Sequence, residues 1–155
     1  MDRIDGRLLE QLQVDCDQKV ADIAAAVHLS TTACWKRIQQ LEASGVIRKR
    51  VALLDPARLN VGVTVFVAIR TSQHNEAWLR RFADAVTAIP EVVELYRMSG
   101  DVDYLLRVVV PDIAAYDGVY KRLIRDIELS DVSSSFAMEQ MKYTTALPLH
   151  YAIAS

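Results

Sequence analysis

Few cysteines, few glycines and no long apolar run narrow what this chain can be. Cys16 and Cys34 are its two cysteines. Neither has a cysteine or histidine neighbour at ligand spacing, so they form neither a disulfide framework nor a zinc set and read as buried thiols of a reducing compartment. His28, His74 and His150 are scattered, away from any cysteine or carboxylate at metal or triad spacing. No phosphate-binding GxxxxGK or dinucleotide GxGxxG motif occurs. An enzyme is therefore not expected, and neither a cofactor nor a metal is implied. No apolar run reaches the ~18 residues of a membrane span. The opening MDRIDGRLLEQL lacks the basic-then-apolar layout of a signal peptide. The expectation is a cytoplasmic protein with no membrane partner. Charge of one sign is lacking too, with 18 Lys and Arg against 20 Asp and Glu. Half of the residues are hydrophobic, at 52%, which is the composition of an ordinary globular protein.

What is present is organised around residues 29–47, LSTTACWKRIQQLEASGVI. Ser30 is a good N-cap, since its hydroxyl can accept from the free N–H groups of a first turn. Cys34, Ile38 and Leu41 recur at helical spacing and predict one buried stripe, with Thr32, Lys36, Gln39 and Ala43 on the exposed side. Gly45 stands where a left-handed C-terminal cap is expected. Upstream, Val20, Ile23, Ala24 and Val27 predict a shorter helix, and Ile4, Leu8, Leu9 and Leu12 another over about 3–15. The three form a helix-turn-helix, whose second helix can lie in the DNA major groove. Residues 47–54 read as a short strand or wing. Asp55-Pro56 breaks it, PARL suggests a helical turn, and the connector closes near Val61.

From Val63 the periodicity changes. Residues 63–69 predict a buried strand, and Asn75 caps a helix carrying Trp78, Leu79, Phe82, Val86 and Ile89. Strands follow over 92–98 and 104–110. Asp112 caps a helix with Ile113, Tyr116, Val119, Tyr120, Leu123, Ile124 and Ile127 on one side, and 132–141 predicts a last strand. The order β-α-β-β-α-β is that of the ferredoxin-like plait. The fold class is thus α+β, with a helix-turn-helix domain at 1–50, a linker strand and connector at 51–62, and a ferredoxin-like domain at 63–155. Both faces of the sheet look apolar, and two helices can cover only one. An identical sheet is the expected partner for the other; the alternative is that the tail ALPLHYAIAS folds back over it.

The net charge of −2 does not suit a DNA binder, but its distribution does. Residues 1–50 hold eight basic against seven acidic groups, so +1; the rest hold ten against thirteen, so −3. Lys36, Arg37, Arg48, Lys49 and Arg50 cluster, and phosphate contact follows local patches rather than totals. The hydroxyls of Ser30 and Thr31 at the helix start suit phosphates, and Thr32, Lys36 and Gln40 are placed to reach base edges. Arg37 and the run Arg48–Arg50 are the flanking cations. Trp35 either packs at the helix seam, which is the expectation, or lies against the sugar-phosphate. The expected partner is double-stranded DNA.

These residues resemble the Lrp/AsnC, or feast/famine, transcription regulators. DRID at 2–5, residues 29–47, VALLDPARLNVG at 51–62, SGDVDYLL at 99–106 and MEQMKYTTALPL at 138–149 match family segments in the family's order. The resemblance implies a DNA-binding regulator whose effector domain dimerises through its sheets, assembles further into tetramers or octamers, and senses an amino acid. Departures exist: Thr31 and Ala33 stand where prolines are common, His28 where the turn often holds glycine, and Trp35 where an aliphatic residue is usual. The resemblance also places the effector site between subunits at the loop Met98-Ser99-Gly100-Asp101-Val102-Asp103-Tyr104. There Gly100 permits close approach, exposed N–H groups can hold a carboxylate, and Asp103 can pair with an ammonium. Without the resemblance, a plain hairpin turn with capping aspartates is the simpler reading. Ser133, Ser135, Phe136 and Met138 are candidates for the facing wall, and the last two favour an apolar amino acid such as leucine or methionine. The competing function is an architectural DNA binder that needs no effector.

Overall fold

The computed structural model describes residues 1–73, 75–125 and 129–152, and these form two compact units. The first comprises Met1–Leu53 together with the C-terminal segment from Lys142; the second is Leu54–Met141.

In the first unit, helix α1 spans Arg3–Val14 and opens on a reciprocal capping box between Asp2 and Asp5. Each carboxylate accepts the other residue's backbone N–H, at 2.8 and 3.0 Å, which satisfies two of the four unpaired donors of a helix start. Helix α2 spans Val20–Ala26 and α3 spans Thr31–Ala43. Ser30 caps α3 through Ala33 N–H, and Gly45 follows it at φ +76°. The turn between α2 and α3 carries His28 at φ +58°, a left-handed conformation that a side chain adopts at some cost. Leu8, Ile23, Val27, Cys34, Ile38 and Leu41 form the buried core, joined by Leu9 and Ala24. Burial holds the Cys34 thiol above its ordinary pKa. Cys16 is only half-buried.

Two expectations for this unit need correction. Residues 47–54 form no strand: Ile47 packs partly on the helical core, whereas Val51, Leu53 and Leu54 are exposed. A lone extended segment with no neighbouring strand gains no ladder. The C-terminal tail, read as part of the plait, belongs instead to the helical unit. Gln13 on α1 clamps the Leu147 backbone, accepting its N–H at 2.6 Å and donating to its carbonyl at 3.2 Å. Leu149, in a short 3-10 turn, packs on the helical core. The last residues of that tail, 153–155, lie outside the described residues.

The second unit is the plait. Its elements are β1 Val63–Arg70, α4 Glu76–Thr87, β2 Val92–Arg97, β3 Tyr104–Val110, α5 Ile113–Arg125 and β4 Asp131–Phe136. The sheet is antiparallel, in the order β2-β3-β1-β4. Val65, Val67 and Ile69 on β1 and Leu106, Val108 and Val110 on β3 share one face. Trp78, Phe82 and Val86 of α4 and Tyr116, Val119 and Leu123 of α5 bury that face. β4 ends at Phe136 rather than Met141 because its partner β1 begins at Val63; Ala137 N–H makes the last bond, to Thr64. Ile113 and Ile124, expected on the buried side of α5, are exposed. Ile124 lies one 100° step beyond Leu123 and so leaves the stripe. Ile127 and His74 lie outside the described residues.

On the sheet's other face Phe66 is 40% exposed. It pairs across the ladder with Arg107 and Ser135, and Ala68 pairs with Leu105 and Ser133. This face is not wholly apolar, since Arg107 bridges Glu94 at 2.6 Å and Tyr96 donates to the same carboxylate. The Arg107 guanidinium, and to a lesser degree the Tyr96 hydroxyl, hold Glu94 below its ordinary pKa.

Candidate DNA interface and effector cavity

Helix α3 presents Thr31, Thr32, Lys36 and Gln40 to solvent, as its periodicity predicts. The structure sorts the expected cations into two groups. Lys36, Arg48 and Lys49 are exposed, with no carboxylate partner among the described residues. Arg37 is instead turned inward: its guanidinium lies 2.7 Å from both Asp2 and Asp5. It ties the start of α1 to α3, so its charge is answered within the chain and it serves there as a clamp. The Asp5 N–H and then Arg37 hold Asp2 below its ordinary pKa. Arg50 is similarly tied to Glu42, at 2.9 Å. The Ser30 hydroxyl is committed to the helix cap at 3.2 Å.

Trp35 is 51% exposed, so the expectation that it packs at the helix seam is corrected. It sits one step beyond Cys34 around the helix and therefore off the buried stripe. An indole left in water next to Lys36 extends the outer surface of α3.

In the plait, the loop after β2 borders a cavity of about 280 Å³, near the low end of the about 300–1,000 Å³ usual for small-molecule sites. Met98, Gly100, Asp103 and Tyr104 of the expected set line it. Gly100 has φ +107°, a backbone conformation that favours glycine. Gln73, Asn75 and Leu79, at the start of α4, and Arg97, at the end of β2, complete the wall. Sequence reasoning missed these four as site residues. Asn75 was legible as a cap, and it does accept Trp78 N–H at 2.8 Å, but only the fold brings the start of α4 to the end of β2. Tyr104 is buried, its ring 4.6 Å from that of Phe82.

Other members of the expected effector set are not brought to this cavity. Ser99 and Asp101 are exposed loop residues outside its wall. Ser133 and Ser135 lie on β4, opposite Ala68 and Phe66 on the uncovered sheet face. Phe136 stands edge-on to Tyr116 at 5.4 Å on the helix-covered face. Met138 is fully in solvent. β4 and β2 occupy opposite edges of the sheet, so within one chain these four residues cannot wall the loop. The loop's own donors are also partly spent. Met98 N–H donates to the Asp103 carbonyl at 2.8 Å, and Asp103 N–H to Ile69 at 3.0 Å. The Asp103 carboxylate accepts Thr71 N–H at 2.8 Å through Oδ2, so it does cap a backbone group.

Residues 1–42 match the AsnC-type helix-turn-helix domain, and residues 64–147 match the Lrp/AsnC ligand binding domain. The chain belongs to the Lrp/AsnC family. It is 51% identical to the DNA-binding transcriptional activator DecR of Escherichia coli K12, over 96% of this chain and 99% of that protein. A crystal structure of an AsnC family transcriptional regulator from Agrobacterium tumefaciens superposes with a TM-score of 0.96 at 65% identity, covering 99% of this chain and 100% of the other. A Neisseria meningitidis transcriptional regulator solved in complex with L-methionine gives a TM-score of 0.93 at 30% identity, covering 99% of each. The protein is thus an Lrp/AsnC-type DNA-binding transcriptional regulator, not an enzyme. As in those relatives, a helix-turn-helix precedes an α+β ligand-binding domain with a four-stranded antiparallel sheet. No described helix is long and apolar enough to cross a membrane.

Proposed function

We propose that this regulator binds duplex DNA through the outer face of α3 and the basic run after it, and that an amino acid held at the Met98–Tyr104 loop modulates its assembly. On DNA, Lys36, Arg48 and Lys49 are the phosphate contacts, and Thr31, Thr32, Trp35 and Gln40 face the groove. Effector domains pair through the uncovered sheet face and associate further, to tetramers or octamers. The effector sits at the loop cavity, its ammonium on Asp103 and its side chain against Leu79 and Met98, which favours an apolar type such as leucine or methionine.

The observation that carries this reading is the cavity itself. It is built from the loop that resembles the family's effector segment, it is small, at about 280 Å³, and Asp103 lines it. The methionine bound to the Neisseria relative supports the same ligand class. Because an effector acts only through different affinities for two assemblies, its binding and the DNA affinity must be coupled.

The test is a thermal-shift screen against the twenty amino acids, followed by DNA anisotropy titrations with and without each hit. A ligand at about 100 times its Kd should stabilise the protein by about 2.7 kcal/mol. At least one amino acid should do so and also shift DNA affinity. No response to any of them would favour the effector-independent architectural reading.

A further inference from the structure

The cavity at the Met98–Tyr104 loop carries a second charge besides Asp103. Arg97 ends β2, paired across the ladder with Tyr104. Strand alternation places it on the same side as Leu95, two residues earlier, which packs on the helix-covered core. Its guanidinium therefore leaves the sheet on the helix-covered side, where the start of α4 closes the cavity, and Arg97 lines that cavity. Several arginines of the same unit are paired: Arg107 lies 2.6 Å from Glu94, Arg122 2.6 Å from Glu91 and Arg80 2.6 Å from Glu76. Arg97 makes no ion pair or hydrogen bond among the described residues. Asp103 borders the same space, yet its carboxylate turns to Thr71 N–H rather than closing on Arg97. Two opposite charges thus face one small cavity without bridging each other.

We propose that Arg97 and Asp103 together recognise the zwitterionic head of a free α-amino acid, Arg97 taking the α-carboxylate and Asp103 the α-ammonium. The loop N–H groups of Met98 and Asp103 are engaged within the sheet, so the loop offers fewer donors for the carboxylate and Arg97 supplies a charged one. A guanidinium fork matches a carboxylate with two parallel N–H···O bonds. Both residues line the one cavity, so a ligand carrying only one charge leaves the other side chain unanswered. The site then selects free amino acids over their amides, over amines and over peptides joined through the α-carboxyl group, whatever the side chain. The inference rests on the cavity being the amino-acid site.

Calorimetry with L-methionine and L-methionine amide, on the parent and on Arg97→Gln and Arg97→Lys, tests it. The parent should bind the amide on the order of tenfold more weakly than methionine, a difference of about 1.4 kcal/mol. Arg97→Gln should bind methionine as weakly as the parent binds the amide, with no further loss for the amide, because ligand and protein changes remove the same interaction. Arg97→Lys should recover part of the methionine affinity, since it keeps the charge but not the fork. The unliganded thermal midpoint should not move, as Arg97 is exposed and holds nothing else. Equal methionine affinity in parent and Arg97→Gln, or equal proportional losses for acid and amide, would overturn the role of Arg97 while leaving the amino-acid site intact. Failure of the parent to bind either compound would overturn both.

Discussion

At the scale of the residue, the decisive distinction is between cations that are spent and cations that are free. Sequence gives Lys36 and Arg37 equal standing, because both fall in one basic cluster. Geometry separates them: Lys36 reaches water, whereas Arg37 reaches Asp2 and Asp5, more than thirty positions away. Nothing in local spacing announces a bridge between α1 and α3, so that assignment needed the fold. Arg37→Ala should lower the stability of the helical unit without changing the salt dependence of DNA binding. It should also make the unit more acid-labile. The pKa of Asp2 is held below its ordinary 3.8, so its contribution is complete above that value and is lost as pH falls through the lowered one. Removing Arg37 removes the cause next in size to the Asp5 N–H and narrows that window from below. Circular dichroism along an acid titration should therefore show Arg37→Ala losing helix at a higher pH than the parent. Coincident acid transitions would show that the clamp contributes nothing measurable.

At the scale of the element, what was legible in the sequence followed local chemistry. The Ser30 cap, the glycine after α3 and the strand alternation of β1 and β3 were all readable from residues that act within a few positions of themselves. What was not legible depended on partners. Residues 47–54 carry a strand-like pattern but meet no strand. The length of β4 is set by where β1 begins. The four missed cavity residues come from the segment entering α4, from α4 itself and from the end of β2, which only the plait brings together. Trp35 is the instructive case, because an aromatic on an amphipathic helix suggests a core, whereas its angular position sends it outward. Trp35→Ala should therefore change stability by no more than about 0.5 kcal/mol, as for an ordinary surface site, and should weaken DNA binding. A loss of about 3–5 kcal/mol in denaturant titration, the range for a buried aromatic, would restore the packing assignment.

At the scale of the whole molecule, the plait leaves one sheet face uncovered, with Phe66, Ala68, Leu105 and Val109 around the Glu94–Arg107 bridge. On the proposed pairing, a second copy of the same face would answer both the apolar and the charged parts, which is the self-complementarity a two-fold pair requires. Phe66→Arg should convert the assembly to monomers in sedimentation at micromolar concentration and weaken DNA binding, since the helix-turn-helix units are then no longer paired. A parent that already sediments as a monomer would refute the pairing. DNA recognition by the free cations is the claim on which the rest depends, and salt dependence tests it most directly. Anisotropy isotherms on duplex DNA across a salt series should give a linear log–log plot of negative slope for the parent. The triple substitution Lys36→Ala, Arg48→Ala and Lys49→Ala should flatten that slope by about one unit for each phosphate left without its cation. An unchanged slope with unchanged affinity would contradict the assignment of these three residues to the DNA phosphates.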